Sequence, residues 1–216
     1  SASSETDVKI GESGIFLTDS GGNYLTGTTD ITRTVTRGKP TPREMEDYTL
    51  VLKGHISVAT TPFPKGTKGY QIDTLSRQFL WEKGMNFGHG TGHGVGFFLC
   101  VHEGPARISP LPNDVVLEKG MLLTNEPGVY HEGGYGIRLE NQILVQEAFE
   151  NEFGDFLQFE NVTFCHFERE LIDPALLSQK EKEWINAYHA KVYEKLTPKL
   201  DEEVIVGLKK KTETIR

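Results

Sequence analysis

Five potential metal ligands are spread along the chain, and each lies beside glycines or inside a strand-like pattern. They are Asp19, Asp30, His93, Glu126 and Glu140. Four carboxylates and one imidazole suit two adjacent divalent ions, because such cations take mostly oxygen ligands and carboxylates can bridge them. A dinuclear site of this kind makes a bridging hydroxide near neutral pH and directs it at a carbonyl or phosphoryl group. The pattern therefore favours a fold that brings these distant residues to one site.

Composition predicts an ordinary enzyme domain. The 216 residues suit one domain or a domain with an appendage, and the net charge of −8 argues against nucleic acid as a partner. Cys100 and Cys165 lack zinc-type spacing. They are typical of reduced thiols in a cytoplasmic protein, with a single disulfide as the alternative. No apolar run is long enough to span a membrane, and the first residues show no signal-peptide pattern.

Two acidic hairpins are predicted. Residues 14–35 form two strand-like runs around a Gly-Gly-Asn turn, with Asp19 at the end of the first strand and Asp30 in the second. Residues 119–145 repeat this arrangement around the turn HEGGYG, with Glu126 and Glu140 on its two strands. The likeness of the hairpins favours two pseudo-equivalent halves around one site.

Capping signals predict the helices. Thr41 and Glu44 form a capping box before one helix, and a second helix is expected over 72–83. Ser178 and Glu181 form another box before a helix with an aromatic stripe, and a last short helix is expected around residues 204–208. A strand region is expected over 157–171. The alternating glycines of GHGTGHGVG argue against a helix there, and hence against a two-histidine zinc motif.

Four segments resemble a known family of metallopeptidases: DSGGNYLTGTTDITRT, HGTGHGVGFFLCVHEGP, TNEPGVY and GIRLEN. This family contains methionine aminopeptidase, prolidase and aminopeptidase P, and the segments look most like the cytosolic, three-domain type of aminopeptidase P. That type removes an N-terminal residue when proline comes next. The resemblance extends to EKEWINAYH near the C-terminus. It implies the pita-bread fold, an α+β architecture in which helices flank a curved antiparallel sheet in two pseudo-symmetric halves.

The resemblance also implies roles for individual residues. Asp19 is similar to the terminal carboxylate ligand of one metal, and Asp30 and Glu140 to the two bridging carboxylates. His93 and Glu126 are similar to the remaining ligands of the second metal, and Glu126 also occupies the position of the proton-shuttling glutamate. Three further residues match the family outside the ligand set. His89 and His102 are similar to two histidines that contact substrate and stabilise the tetrahedral intermediate. Arg138 is similar to an arginine that supports substrate binding.

Several further expectations follow from the resemblance. The metal is expected to be Mn²⁺, with Zn²⁺ and Co²⁺ as alternatives, and the partner a peptide with proline second. A pita-bread catalytic domain is expected over 1–172 and a C-terminal helical extension over 173–216, near which the resembled enzymes have a dimer contact. Their catalytic domain begins earlier and includes a further active-site histidine. This chain is therefore expected to be an N-terminally truncated, poorly active piece.

Two rival functions stay open at this point. The first is a prolidase that acts only on Xaa-Pro dipeptides. The second is a non-catalytic peptide-binding module on the same fold. Such modules lose metal ligands, so the retention of all five potential ligands counts against this second alternative.

Overall fold

The computed structural model describes residues 3–98 and 100–216. The strands are β1 Gly14–Ser20, β2 Asn23–Tyr24, β3 Gly27–Thr28, β4 Ile31–Arg37, β5 Phe63–Pro64, β6 Gly92–Val95, β7 His102–Ile108, β8 Leu122–Asn125, β9 Gly128–Tyr130, β10 Gly136–Arg138, β11 Asn141–Asn151 and β12 Gly154–Asn161. The α-helices are α1 Pro42–Thr60, α2 Gly69–Trp81, α3 Gln179–Leu196 and α4 Glu202–Lys211, with short 3₁₀ turns at Arg169–Leu171, Pro174–Leu176 and Thr197–Lys199.

Every strand pair among the described residues is antiparallel. Six strands form one sheet in the order β5-β12-β11-β8-β6-β7, and three two-stranded ladders join β1 to β4, β9 to β10 and β2 to β3. The first predicted hairpin is therefore the β1–β4 ladder, with the short β2–β3 pair inserted at its tip.

Two apolar clusters form the core. One contains side chains of α1 and α3 together with the inner face of the β9–β10 ladder, and the other fills the space between α2 and the six-stranded sheet. The helix starts follow the predicted caps, because Thr41 and Ser178 each accept the backbone N–H of the glutamate three residues on. Helix α2 begins at residue 69 rather than 72, where Gln71 caps the backbone N–H of Lys68.

The aromatic stripe of α3 packs inside the chain. Ile185 and Val192 are fully buried and Tyr188 is nearly so, all in the same cluster as α1. These three side chains therefore stabilise the fold and are not available to a second copy. No helix of the described residues is long and apolar enough to cross a membrane.

Candidate metal centre

The second acidic hairpin is interrupted at its glutamates. Strand β8 pairs with β11 as far as Asn125 opposite Asn141, and β9 pairs with β10 in the same register further along. Glu126 and Glu140 occupy the break between these ladders and lie opposite one another. The expectation that they lie inside strands is therefore wrong, although their pairing across the hairpin is as expected.

The break arises because both glutamates bond to neighbouring segments. The Glu126 N–H donates to the carbonyl of Thr91 at 2.7 Å, and the Glu140 N–H donates to the carbonyl of Thr32 at 3.0 Å. Each glutamate is thus tied by its backbone to the segment on its own side. The two carboxylates are held where the hairpin opens.

The first hairpin contains Asp19 and Asp30, whose side chains differ in how far they are exposed to solvent. Asp19 lies in β1 opposite Thr32 of β4, with its side chain about half exposed. Asp30 is buried and lies just before β4 rather than inside it, where the chain returns from the β2–β3 insertion. The sequence predicts Asp30 inside the second strand, whereas it lies one residue before that strand begins.

Three of the expected ligands meet at one point. Oxygen atoms of Asp30 and Glu140 and a ring nitrogen of His93 lie within 4.8 Å of one another. Oε1 of Glu126 lies 3.4 Å from Nε2 of His93, and Oδ2 of Asp30 lies 3.3 Å from the same nitrogen. These four residues come from four separate segments of the chain.

The orientation of His93 suits a cation. Its Nδ1 lies 2.8 Å from the carbonyl of Gly94, which can only accept, so Nδ1 carries a hydrogen. Nε2 then faces the carboxylate oxygens of Asp30 and Glu126. A lone pair and two anionic oxygens repel one another unless a proton or a metal ion lies between them. Burial alone lowers the pKa of His93, but the hydrogen bond to Asp30 and the nearby carboxylates raise it above the ordinary value.

The buried carboxylates point to the same conclusion. Burial raises the pKa of Glu126 to about 7, although His93 and Thr124 oppose this rise. Burial, followed by repulsion from Glu126, raises the pKa of Glu140 to about 8. Clustered carboxylates out of water are unfavourable as anions unless a cation compensates them. The donor chemistry of this cluster therefore fits divalent metal ions.

Asp19 lies at the edge of this group. Its Oδ2 accepts a 2.6 Å hydrogen bond from Nη2 of Arg138, and the structure does not bring it into the tight donor group. Arg138 also places Nε 3.8 Å from Oε2 of Glu126. The guanidinium thus links two of the expected ligands. The other carboxylate oxygen of Asp19, Oδ1, is left for a metal ion.

The remaining predicted residues line the approach. His89 Nδ1 donates to the carbonyl of Gly90 at 2.7 Å, and its Nε2 lies 2.8 Å from the hydroxyl of Tyr130. Burial lowers the pKa of His89, which favours the neutral ring. His102 is exposed at the start of β7, with its ring centroid 4.3 Å from that of His93. Both histidines therefore present polar groups beside the donor cluster.

Two adjoining cavities open onto the cluster. One, of about 390 Å³, is lined by all five expected ligands and by His102. The other, of about 370 Å³, contacts His89, His93, His102, Glu126 and Arg138. Every site residue predicted from the sequence therefore borders this cleft.

Three supporting hydroxyls were not predicted. Thr32 donates to Oε2 of Glu140 at 2.6 Å, and Thr124 donates to Oε1 of Glu126 at 3.1 Å. Tyr130 accepts from Nη1 of Arg138 at 2.9 Å. A signal existed for the threonines, because Thr32 follows Asp30 and Thr124 precedes Glu126 by two residues, the spacing that puts strand residues on one face.

A buried ion pair shapes the glycine-rich loop. Arg77 and Asp73, each 2% exposed, form a salt bridge on α2 with Nε and Oδ2 2.6 Å apart. Arg77 also donates to the carbonyls of Phe87 and His89, both at 2.7 Å, and Asp73 accepts the hydroxyl of Thr91 at 2.7 Å. The pair thus fixes the loop on both sides of the histidine that lines the cleft.

The pattern of metallopeptidase family M24 matches residues 2–147, and the pattern of the C-terminal region of the same family matches 155–215. The chain belongs to metallopeptidase family M24. Aminopeptidase P1 of Arabidopsis thaliana is 48% identical over 206 residues, which cover 93% of this chain and 32% of that protein. The chain thus spans about a third of the length of the curated relatives it matches.

Solved structures of M24 enzymes show the same fold. X-prolyl aminopeptidase of Caenorhabditis elegans, described as a cytosolic enzyme with a di-nuclear active site, superposes with a TM-score of 0.93 at 39% identity. That match covers 99% of this chain and 36% of the other. Prolidase of Pyrococcus furiosus gives a TM-score of 0.63 at 31% identity, covering 74% of this chain and 44% of its own. The M24 chain described here therefore has the pita-bread fold.

Proposed function

We propose that this chain carries the metal centre and acid–base residues of an Xaa-Pro aminopeptidase, which releases the N-terminal residue from peptides with proline second. One observation carries the proposal: Asp30, His93 and Glu140 converge within 4.8 Å in a chain of an established metallopeptidase family. The named relatives support the choice of substrate.

Two divalent ions would be held by Asp19, Asp30, His93, Glu126 and Glu140. Bound metals supply an activated water molecule and a polarised scissile carbonyl. We propose Mn²⁺ as the native metal because the donors are mostly carboxylate oxygens, for which Mn²⁺ is well suited. Metal analysis after purification under Mn²⁺, Zn²⁺ and Co²⁺ tests this choice.

Glu126 is the proposed proton carrier. Its carboxylate borders both cavities and accepts a hydrogen bond from Thr124, which leaves its other oxygen near the guanidinium of Arg138. A leaving proline nitrogen has no hydrogen of its own in the substrate, so it must gain one as the bond breaks. Glu126 takes that proton from the attacking water and delivers it to the nitrogen.

The cleft residues bind and orient the peptide. His102, exposed beside His93, donates a hydrogen bond to the oxygen that gains charge in the transition state. His89 is held by Tyr130, which is itself held by Arg138. This chain of contacts keeps His89 and Arg138 in fixed positions along the second cavity, where they contact the substrate backbone.

Prolidase is the second candidate, since Pyrococcus furiosus prolidase shares the fold. The aminopeptidase is favoured because its match extends over 99% of the chain rather than 74%. Cleavage of an Xaa-Pro-Xaa tripeptide and of an Xaa-Pro dipeptide by this chain with added Mn²⁺ separates them. Glu126→Gln serves as the inactive variant and Glu132→Gln, an exposed residue of the hairpin turn, as the matched control. Metal uptake without cleavage of either peptide, both by this chain and by a longer version that includes the expected further active-site histidine, would favour the binding module.

Cellular setting and assembly belong to the same proposal. The cytosolic description of the Caenorhabditis elegans enzyme supports a cytoplasmic location. A homodimer through the C-terminal region would use exposed apolar side chains of α4, such as Val206, because Ile185, Tyr188 and Val192 of the α3 stripe are buried. Sedimentation of the chain and of Val206→Asp tests this, and a monomer at all concentrations contradicts the dimer.

A further inference from the structure

Arg33 is a buried cation whose contacts extend from the metal centre to the C-terminal region. The five N–H groups of its side chain lie within hydrogen-bond distance of six oxygens, all uncharged: the carbonyls of Thr32, Glu140, Cys165 and His166, the side-chain oxygen of Asn141 and the hydroxyl of Tyr188. The residue is 5% exposed. A guanidinium out of water without a paired carboxylate is unfavourable unless its N–H groups are all bonded, so these acceptors must hold their positions.

One side of Arg33 fixes a proposed ligand. Nη1 donates to the carbonyl of Glu140 at 2.6 Å and to that of Thr32 at 2.9 Å. Thr32 in turn donates through its hydroxyl to Oε2 of Glu140 at 2.6 Å. The backbone of Glu140 is therefore fixed by Arg33 and its carboxylate by Thr32. Both contacts act on a residue that is 1% exposed.

The other side of Arg33 meets the segment after β12 and helix α3. Nη2 donates to the carbonyl of Cys165 at 2.7 Å and lies 3.3 Å from the hydroxyl of Tyr188. That hydroxyl also lies 2.9 Å from the carbonyl of Thr163 and 3.2 Å from Nδ2 of Asn141. Asn141 directly follows Glu140, so the tyrosine bonds to the side chain of the residue next to the glutamate.

We propose that Arg33 and Tyr188 form a positioning bracket through which the C-terminal region sets the place of Glu140 at the metal centre. The inference rests on the proposed function, in which Glu140 is a ligand. Neither bracket residue borders the cavities of the site. Both are positioning residues, since Arg33 bonds to the backbone carbonyl of Glu140 and Tyr188 bonds to the side chain of Asn141, the next residue.

Two variants test the bracket, with a matched control on the same helix. Tyr188→Phe removes one hydroxyl and keeps the ring that stacks on Trp184. Arg33→Lys keeps the charge but has only three N–H donors for the six acceptors. Tyr193→Phe removes a hydroxyl from α3 at a partly buried position whose ring packs at the margin of the core.

The first measurement is calorimetric titration of this chain with Mn²⁺. We expect Tyr188→Phe to weaken binding about 10-fold and Arg33→Lys up to about 100-fold, the range for groups that orient ligands. Tyr193→Phe binds as the unchanged chain does. If both Tyr188→Phe and Tyr193→Phe bind Mn²⁺ as tightly as the unchanged chain, the bracket is refuted. The proposed function is not affected by that result.

The second measurement requires no metal. Amide hydrogen exchange in peptides covering 138–144 is expected to rise about 5-fold in Tyr188→Phe, the effect of losing one buried hydrogen bond, and to stay unchanged in Tyr193→Phe. If the unchanged chain binds no Mn²⁺, the proposed metal centre fails and exchange alone decides the bracket. Faster exchange at 138–144 then supports it, and equal exchange in the two variants refutes it.

Discussion

Gly92→Ala should destabilise the chain at the metal centre, because β6 and β8 approach closely at this glycine. A Cβ added to Gly92 would overlap the carbonyl oxygen of Thr124 and lie 2.7 Å from its carbonyl carbon, whereas ordinary contacts of a Cβ lie at 3.4–4 Å. Both atoms belong to the backbone, so the two strands have to separate by roughly 1 Å. This movement also strains the 3.1 Å bond from the N–H of His93 to Thr124 Oγ1.

The expected cost combines these two effects. Overpacking of a close-packed site costs about 1–3 kcal/mol, and the lost hydrogen bond adds about 1 kcal/mol. For a chain of this length the sum lowers the melting temperature by about 5–15 °C. Calorimetry or circular dichroism measures the shift. Mn²⁺ titration should also show weaker binding, because His93 moves with the strand.

Gly88→Ala is the matched control in the same loop. A Cβ added to Gly88 meets no atom within 4 Å, and its backbone needs no left-handed conformation. We expect its free energy of unfolding to change by less than about 0.5 kcal/mol. Equal melting temperatures for Gly92→Ala and Gly88→Ala would refute the reasoning from the close approach of the strands.

Three further predictions concern the site and the core. Glu126→Gln should lower kcat for Xaa-Pro-Xaa cleavage by about 10²–10⁴-fold, and unchanged turnover at normal metal content would exclude Glu126 as the proton carrier. Chelation of divalent ions should lower the melting temperature and Mn²⁺ should restore it, since repulsion between Glu126 and Glu140 is then uncompensated; a melting temperature indifferent to Mn²⁺ argues against the centre. Burial lowers the pKa of His55 and of His189 from 6.5 to about 3, so the unfolded chain binds more protons between these pH values. The free energy of unfolding should therefore fall as the pH drops from 6.5 towards 3, by up to about 1.4 kcal/mol per unit for each histidine. Urea denaturation across this range measures the slope, and His189→Asn should make it shallower by that amount; an equal slope contradicts the assignment.

Local signals predicted the helices well, because their caps lie within four residues in sequence. They failed over 157–171, where the strand ends at Asn161 although the apolar pattern continues. The N–H of Val162 still donates to the carbonyl of Gln142 in β11, but three backbone N–H groups further along donate to side chains of helices instead. These bonds are Cys165 to the hydroxyl of Tyr188, Phe167 to Nε2 of His189 and Glu168 to the hydroxyl of Tyr48. Such long-range partners leave no mark in the local sequence.

The candidate site divides in the same way. Glycine and strand patterns singled out the five potential metal ligands, and the resemblance to a family supplied their expected roles and added His89, His102 and Arg138. The bonds of Arg77 to the glycine-rich loop and the bonds of Arg33 could not be predicted, because each depends on backbone carbonyls brought close by the tertiary fold. An alternating pattern also cannot reveal where a hairpin opens, which is why the break at Glu126 and Glu140 was missed.

The donor group formed by Asp30, His93 and Glu140 has a consequence for how this chain folds. Asp30 precedes β4, His93 lies within β6 and Glu140 precedes β11. No single hairpin therefore contains two of these residues. A partly folded chain therefore offers a cation only scattered, weak sites. Closing the long loops between these segments is a slow step in folding, and tight metal uptake has to wait for it. The rate of Mn²⁺ capture during refolding would then report the completion of the whole β-structure.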